Sequence, residues 1–201
     1  NQLLVISDEI MTGCCRTGKW FATEYTGLVP DILCLSKGLT GGSMPLSAVL
    51  MREEVYDQCN QDSQHLFLHS NTYSGHALAV SAALATLHAL EAADMTTQAT
   101  NLQVKLREAF QWLQQTTQKL CNIRGVGGVV AADLAPSVDV SRLVQEALAR
   151  HVWLRPIGQT LYWLPPLNLD DAALTHLTEA TGAAINASSS HKRASLCSAL
   201  A

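Results

Sequence analysis

The feature that most limits the folds this chain can adopt is a set of short apolar runs, each of which stops abruptly at polar residues. Residues 3–6 form one run and end at Ser7-Asp8, and residues 32–35 form the next and end at Ser36-Lys37. Runs of this length without alternation are typical of strands buried on both faces of a parallel sheet. Ligands of open α/β sheets bind beyond the carboxyl ends of the strands. The sequence therefore predicts an α/β fold in which Asp8 and Lys37 point toward one site.

Composition narrows the function classes. The chain of 201 residues is 48% hydrophobic with a net charge of -4, which excludes disorder as its main state and argues against a nucleic-acid partner. Its six cysteines show no C-x-x-C spacing and its seven histidines show no metal-ligand spacing, so we predict buried reduced thiols and no metal. No apolar run reaches the roughly 18 residues that span a bilayer. We expect a cytoplasmic location and no membrane partner.

Periodicity divides the chain into parts. An Ala- and Leu-rich helix is predicted near residues 76–93 and an amphipathic helix near residues 95–119, with one apolar stripe formed by Leu102, Leu106, Phe110 and Leu113. Residues 123–133 suggest a glycine-interrupted strand, and helices are expected at 140–150 and 170–184. The predicted organisation is an α/β part (1–93), a connecting helix (94–120), an α+β part (121–185) and a loose tail (186–201).

Asp8 and Lys37 matter more together than alone. A strand-end aspartate commonly caps a helix or forms an ion pair, and a strand-end lysine commonly reaches the surface. Together they meet the needs of pyridoxal phosphate, because the lysine forms the Schiff base and the aspartate protonates the pyridine nitrogen. Burial of Lys37 in an apolar setting would lower the pKa of its amine, which favours that chemistry.

Two long motifs carry a family resemblance. DEIMTGCCRTGKWFA (residues 8–22) and PDILCLSKGLTGG (residues 30–42) resemble class III, subgroup II, aminotransferases of fold type I. The resemblance extends to about residue 185 and corresponds to the later half of that family's polypeptide. It implies the second part of the pyridoxal-phosphate-binding large domain, followed by the C-terminal small domain. The abrupt start of the chain in a strand suggests a piece of a longer polypeptide.

The resemblance also implies roles for individual residues. Asp8 would contact the pyridine nitrogen, Ile10 would pack against the ring, and Lys37 would bind the cofactor and shuttle protons. HSNTYSGHALA (residues 69–79) is similar to the segment whose threonine, here Thr72, reaches the cofactor phosphate of the other subunit, with Asn71 beside it. The resemblance thus implies a homodimer with shared active sites. A turn or N-cap at the start of the Ala-rich helix is the alternative, and it fits Ser74 better than Thr72.

The later sequence points to a substrate. Residues 152–167 resemble those class III enzymes that transfer the amino group of S-adenosylmethionine to 8-amino-7-oxononanoate in biotin synthesis. Arg155 would then bind the substrate carboxylate, a bidentate task that suits a guanidinium group. Ser70 and Tyr162 would line the same pocket. The alternatives are another class III enzyme that uses an ω-amino acid or diamine with a 2-oxo acid, and a non-catalytic fragment of such an enzyme.

Overall fold

The computed structural model describes residues 3–61 and 66–189. Its contacts divide the chain into two compact units that meet in sequence at Thr96 and Thr97. The helix predicted as a connection counts from Thr97 onward with the second unit.

A three-stranded sheet organises the first unit. Its strands are β1 (Ile6–Asp8), β2 (Ile32–Leu35) and β3 (Ala48–Met51), in the order β1-β2-β3. Strand β1 begins later than the predicted run at residues 3–6, because the Asp31 carboxylate accepts the Val5 N–H at 2.8 Å in place of a ladder partner. Strands β1 and β2 are parallel, as predicted, whereas β3 runs antiparallel to β2.

Burial on both faces of this sheet is a wrong prediction for the present chain. Ile6 is 64% exposed and Val49 is 59% exposed, and Leu3 in front of β1 is 84% exposed. The antiparallel direction of β3 follows from its connection to β2, where a single 3-10 turn (Lys37–Thr40) precedes Gly41 and Gly42. Both glycines have a positive φ, and they reverse the chain where a parallel return would need a longer crossover.

Among the described residues of the first unit, the sheet is followed by two α-helices, α1 (Glu53–Cys59) and α2 (Ala77–Ala92). The second matches the predicted Ala- and Leu-rich helix. Its buried residue Ala83 forms a small core with Cys14, Leu35 and Leu39. Because Leu39 lies in the 3-10 turn after β2, this packing fixes the turn that carries Lys37.

The second unit has a larger core. It contains α3 (Met95–Thr117), α4 (Val140–Leu148), α5 (Asp171–Ala187), and an antiparallel sheet of β4 (Leu120–Val126), β5 (Val129–Leu134) and β6 (Thr160–Trp163). The predicted stripe on α3 is confirmed, since Leu102, Leu106, Phe110 and Leu113 are all buried. Phe110 meets Trp163 edge-on, with ring centroids 4.8 Å apart.

The glycines after β4 separate two strands. The predicted single strand at 123–133 is wrong: the chain reverses at Gly127 and Gly128, and Gly127 has φ +54°. Gly125 allows the hairpin to close, because a Cβ there would lie 2.2 Å from the Val129 carbonyl oxygen.

Aspartate side chains cap the N-termini of the last two helices. The carboxylates of Asp139 and Asp170 accept the N–H groups of Arg142 and Ala173, so they cap α4 and α5. Helix α5 extends through Ala187, and Ser189 pairs with Val138, so residues 186–189 are ordered rather than part of a loose tail. The remainder of that predicted tail, residues 190–201, lies outside the described residues.

Within residues 3–61 and 66–189, no single helix is long and apolar enough to cross a membrane, although α2 and α3 taken as a bent pair meet the criteria of length and composition.

Candidate active site

Asp8 and Lys37 follow adjacent parallel strands at the same edge of the first sheet. Asp8 ends β1 and lies in register with Cys34 of β2, and Lys37 comes three residues further along. The carboxyl ends of parallel strands share one edge, so the fold places these two residues as the sequence predicts.

The backbone two residues after Asp8 holds its carboxylate in place. Its Oδ1 accepts the Ile10 N–H at 3.0 Å, which orients the carboxylate and fixes the turn that carries the half-buried Ile10. In the described part of the chain its Oδ2 has no hydrogen-bond partner. This oxygen is therefore available to a ligand.

Lys37 is exposed, so the buried apolar setting expected from its sequence is wrong for this chain. The strand ends at Leu35 and the chain turns at once, which takes the lysine side chain out of the sheet. Lys37 lines a cavity of about 360 Å³ with Ser36 and the loop at 42–46. Ser36 Oγ donates to the Leu46 carbonyl at 2.8 Å and holds that loop against the turn. Within the described residues, the Lys37 amine forms no hydrogen bond or ion pair.

Glu9 is a residue of this region that sequence reasoning missed. It is 2% exposed, and its carboxylate accepts hydrogen bonds from Thr12 Oγ1 and from the N–H groups of Ala22 and Thr23, the latter two at 3.0 and 2.8 Å. It thereby closes the loop that follows Asp8. The signal in the sequence is a glutamate three residues before a threonine, and this spacing also fits an ordinary turn.

Acidification should test the role of Glu9. Burial alone would raise the pKa of its carboxyl, but the hydrogen bonds from Thr12, Ala22 and Thr23 lower the pKa below 4.5. The ionised form therefore stabilises the fold above about pH 4.5, and this contribution is lost as the pH falls through the lowered pKa. We expect Glu9→Gln to reduce the free energy of unfolding by about 2 kcal/mol at pH 7. The variant should also lose less stability than the wild type below pH 4.5.

Denaturant unfolding at a series of pH values measures both effects. The exposed Glu91→Gln is the matched control and should leave the profile unchanged. A Glu9→Gln profile parallel to that of the wild type in acid would contradict this role.

Gly38, Cys14 and Cys15 lie where the loop after Asp8 packs against the turn that carries Lys37. A Cβ on Gly38 would lie 2.8 Å from Cys14 Cβ, so glycine next to Lys37 lets this loop pack on the turn. Cys14 and Cys15 adopt φ +55° and +67°, a conformation that costs free energy for a non-glycine residue. Burial raises the pKa of both thiols, that of Cys15 to about 11, so they remain protonated packing residues, as the sequence suggests.

The segment at 70–76 forms a hydrogen-bonded turn before α2. Asn71 Oδ1 accepts the Tyr73 N–H, and Ser74 Oγ accepts the Asn71 N–H. Ser70 and Thr72 are exposed. Ser74 lies in this turn, as the turn alternative predicts, whereas the N-cap alternative is wrong for Ser74, because the helix begins at Ala77 and His76 is its N-cap. Asn71 and Ser36 line a shared cavity of about 670 Å³.

Arg155 and Tyr162 belong to the second unit. Arg155 is exposed and lies between the buried Leu154 and the half-buried Pro156, and Tyr162 is half-buried on β6. Residues 153–156 form no strand. Instead, Ile157 and Thr160 exchange backbone hydrogen bonds across a tight turn at Gly158. Nothing among the described residues groups three side chains suited to hold a metal ion.

Solved structures share this architecture. An amine transaminase from an uncultivated Pseudomonas species, crystallised with pyridoxal phosphate bound, matches with a TM-score of 0.82 and 35% identity, over 91% of this chain and 44% of that chain. The ornithine aminotransferase of Toxoplasma gondii matches with a TM-score of 0.80 and 28% identity, over 92% of this chain and 44% of that chain. This fold, with an aspartate and a lysine after neighbouring parallel strands, defines a fold type I pyridoxal-phosphate-dependent transferase.

Sequence comparison narrows the class. Residues 1–185 match the aminotransferase class-III family, and the chain belongs to it. The adenosylmethionine-8-amino-7-oxononanoate aminotransferase of Synechococcus elongatus is 39% identical over 178 residues, 85% of this chain and 41% of that protein. The putrescine–pyruvate aminotransferase of Pseudomonas aeruginosa is 31% identical over 191 residues, 87% of this chain and 40% of that protein. The chain thus spans less than half the length of these relatives.

Proposed function

We propose that the protein is a pyridoxal-phosphate-dependent transaminase that transfers the amino group of S-adenosylmethionine to 8-amino-7-oxononanoate, giving 7,8-diaminononanoate. The pairing of Asp8 and Lys37 at adjacent strand ends carries the proposal for the chemistry. The relatives named for this reaction support the choice of substrates.

The residues at the strand edge fit pyridoxal phosphate. The free Oδ2 of Asp8 suits a protonated pyridine nitrogen, and the unpaired amine of Lys37 suits the cofactor carbonyl. Ile10, fixed by the Asp8 turn, offers an apolar contact for the ring. Asn71 and Thr72 would reach the phosphate across the interface of a homodimer with shared sites, in the cytoplasm.

Each residue then has a defined task. When bound, the cofactor supplies an electron sink for the carbanion formed at the substrate Cα. Asp8 keeps the ring nitrogen protonated and so maintains that sink. As a free amine, Lys37 Nζ would take a proton from the donor Cα and later deliver a proton to the acceptor carbon that receives the amino group. Glu9 positions the loop after Asp8 and touches no reacting atom.

Arg155 should determine acceptor affinity. Its guanidinium group would bind the 8-amino-7-oxononanoate carboxylate, and Tyr162 of the same unit would contribute to that pocket. We expect Arg155→Ala in the full-length protein to raise the KM for this acceptor about 100-fold, because a charge-assisted bidentate contact is lost. The wild type should prefer the acid over its methyl ester, and the variant should not.

Steady-state kinetics with both acceptors measures this preference. Arg142→Ala is the matched control, since Arg142 is an exposed arginine of the same unit that pairs with Glu146. Unchanged discrimination between acid and ester in Arg155→Ala would contradict the assignment.

The relative that uses putrescine and pyruvate favours a second candidate, a class III enzyme with a diamine donor and a 2-oxo acid acceptor. A panel of amino donors separates the two. Turnover with S-adenosylmethionine supports the first candidate. Turnover with putrescine and pyruvate, and none with S-adenosylmethionine, would replace it with the second.

A further inference from the structure

A histidine, rather than a usual capping residue, begins α2. His76 Nδ1 accepts the Ala79 N–H at 3.2 Å. N-caps are normally Ser, Thr, Asp or Asn, whose side-chain oxygens accept a free N–H of the first turn. The imidazole replaces that oxygen with a ring nitrogen, and accepting through Nδ1 requires that this nitrogen carry no proton.

The same residue closes the turn that precedes the helix. The His76 N–H donates to the Tyr73 carbonyl at 3.2 Å, and the His76 ring meets the Tyr73 ring edge-on at 6.0 Å. Tyr73 in turn donates its N–H to Asn71 Oδ1 at 3.1 Å. A continuous series of hydrogen bonds therefore runs from Asn71 through Tyr73 and His76 to Ala79.

This series lies on the wall of the larger cavity. His76, Asn71 and Tyr73 line it together with Ser36, the residue before Lys37. The smaller cavity that Lys37 lines shares Ser36 and residues 44–46 with it. Side chains at 70–72 are exposed, so their position depends on this turn rather than on burial.

We propose that His76 is a positioning residue for cofactor binding: by capping α2 through Nδ1, it holds the turn at Asn71–Ser74 in the geometry that receives the cofactor phosphate of the other subunit in the proposed homodimer. This inference rests on the proposed function, since it takes pyridoxal phosphate as the ligand. His76 acts through Asn71 and Thr72 and contacts no reacting atom.

Replacement of the ring separates capping from other effects. Asparagine places an acceptor oxygen close to the position of the imidazole Nδ1, so His76→Asn keeps the cap, whereas His76→Ala removes it. We expect His76→Ala to weaken pyridoxal phosphate binding about fivefold and His76→Asn to restore it. Asp170→Ala removes the equivalent cap of α5 in the second unit and should lower stability without changing cofactor affinity.

The experiment titrates the full-length variants with pyridoxal phosphate by absorbance and follows amide hydrogen exchange at Ala79. Faster exchange and weaker binding in His76→Ala, both reversed by asparagine, are the expected results. Unchanged affinity in His76→Ala, no rescue by asparagine, or an equal loss in Asp170→Ala would each overturn the proposal. Borohydride labelling of wild-type Lys37 is measured in parallel. Its absence would overturn the proposed function and this inference with it, whereas labelling that persists while His76→Ala binds normally removes this inference alone.

Discussion

Replacing Lys37 with alanine should remove covalent cofactor binding and lower turnover about 1,000-fold, because the proposed function assigns to this one amine both the cofactor attachment and the proton transfer. The structure supports this expectation through the placement of Lys37 after β2, beside the strand that ends at Asp8. Within the described residues its amine has no competing partner. Loss of the side chain should leave the fold intact, since Lys37 is exposed.

Borohydride reduction with pyridoxal phosphate, followed by peptide mapping, measures the attachment directly. The wild type should carry one adduct, on Lys37, and Lys37→Ala should carry none. Lys19→Ala is the matched control: Lys19 belongs to the same unit, with its amine 4.5 Å from the centre of the Tyr25 ring, and its removal should leave the Lys37 adduct unchanged. Turnover of Lys37→Ala close to that of the wild type would exclude this catalytic assignment. Labelling of the wild type spread over many lysines would instead favour a non-catalytic protein.

The largest effect on stability should come from Phe110→Ala in the core of the second unit. Phe110 has no exposed surface and packs edge-on against Trp163, so truncation leaves a cavity between α3 and β6. We expect a loss of about 3–5 kcal/mol in the free energy of unfolding. Urea unfolding followed by circular dichroism measures it.

Gln111→Ala provides the control on the same helix. Gln111 is adjacent to Phe110 and exposed, so its replacement should change stability by less than about 0.5 kcal/mol. A Phe110→Ala protein within that range would mean that the α3 stripe does not support this core.

Elements with a strong local signal were predictable from the sequence. The buried stripe on α3 repeats with helical spacing, and β2 was located to the residue because polar residues bound its apolar run. The placement of Asp8 and Lys37 at the same end of the sheet followed from the parallel pairing of β1 and β2. Family resemblance added roles for Ile10, Thr72 and Arg155, and these roles remain predictions.

Features that depend on tertiary contacts were not predictable. An apolar run does not encode the direction of its neighbour, so the antiparallel direction of β3 could not be predicted; it depends on the turn at Gly41 and Gly42. Burial of Glu9 depends on N–H groups 13 and 14 residues away. The exposure of Lys37 likewise depends on which segments cover the sheet, and a short apolar run carries no such information.

Because β3 runs antiparallel to β2, the segments before and after it are under different structural constraints. Because Met51 pairs with Ile32 at the start of β2, the chain from Arg52 onward leaves the sheet at the edge opposite Asp8 and Lys37. There Arg52 pairs with Asp31, and α1 follows with mostly exposed side chains. Insertions and substitutions around α1 can therefore accumulate without moving Asp8 and Lys37, whereas the residues between β2 and β3 have no such freedom.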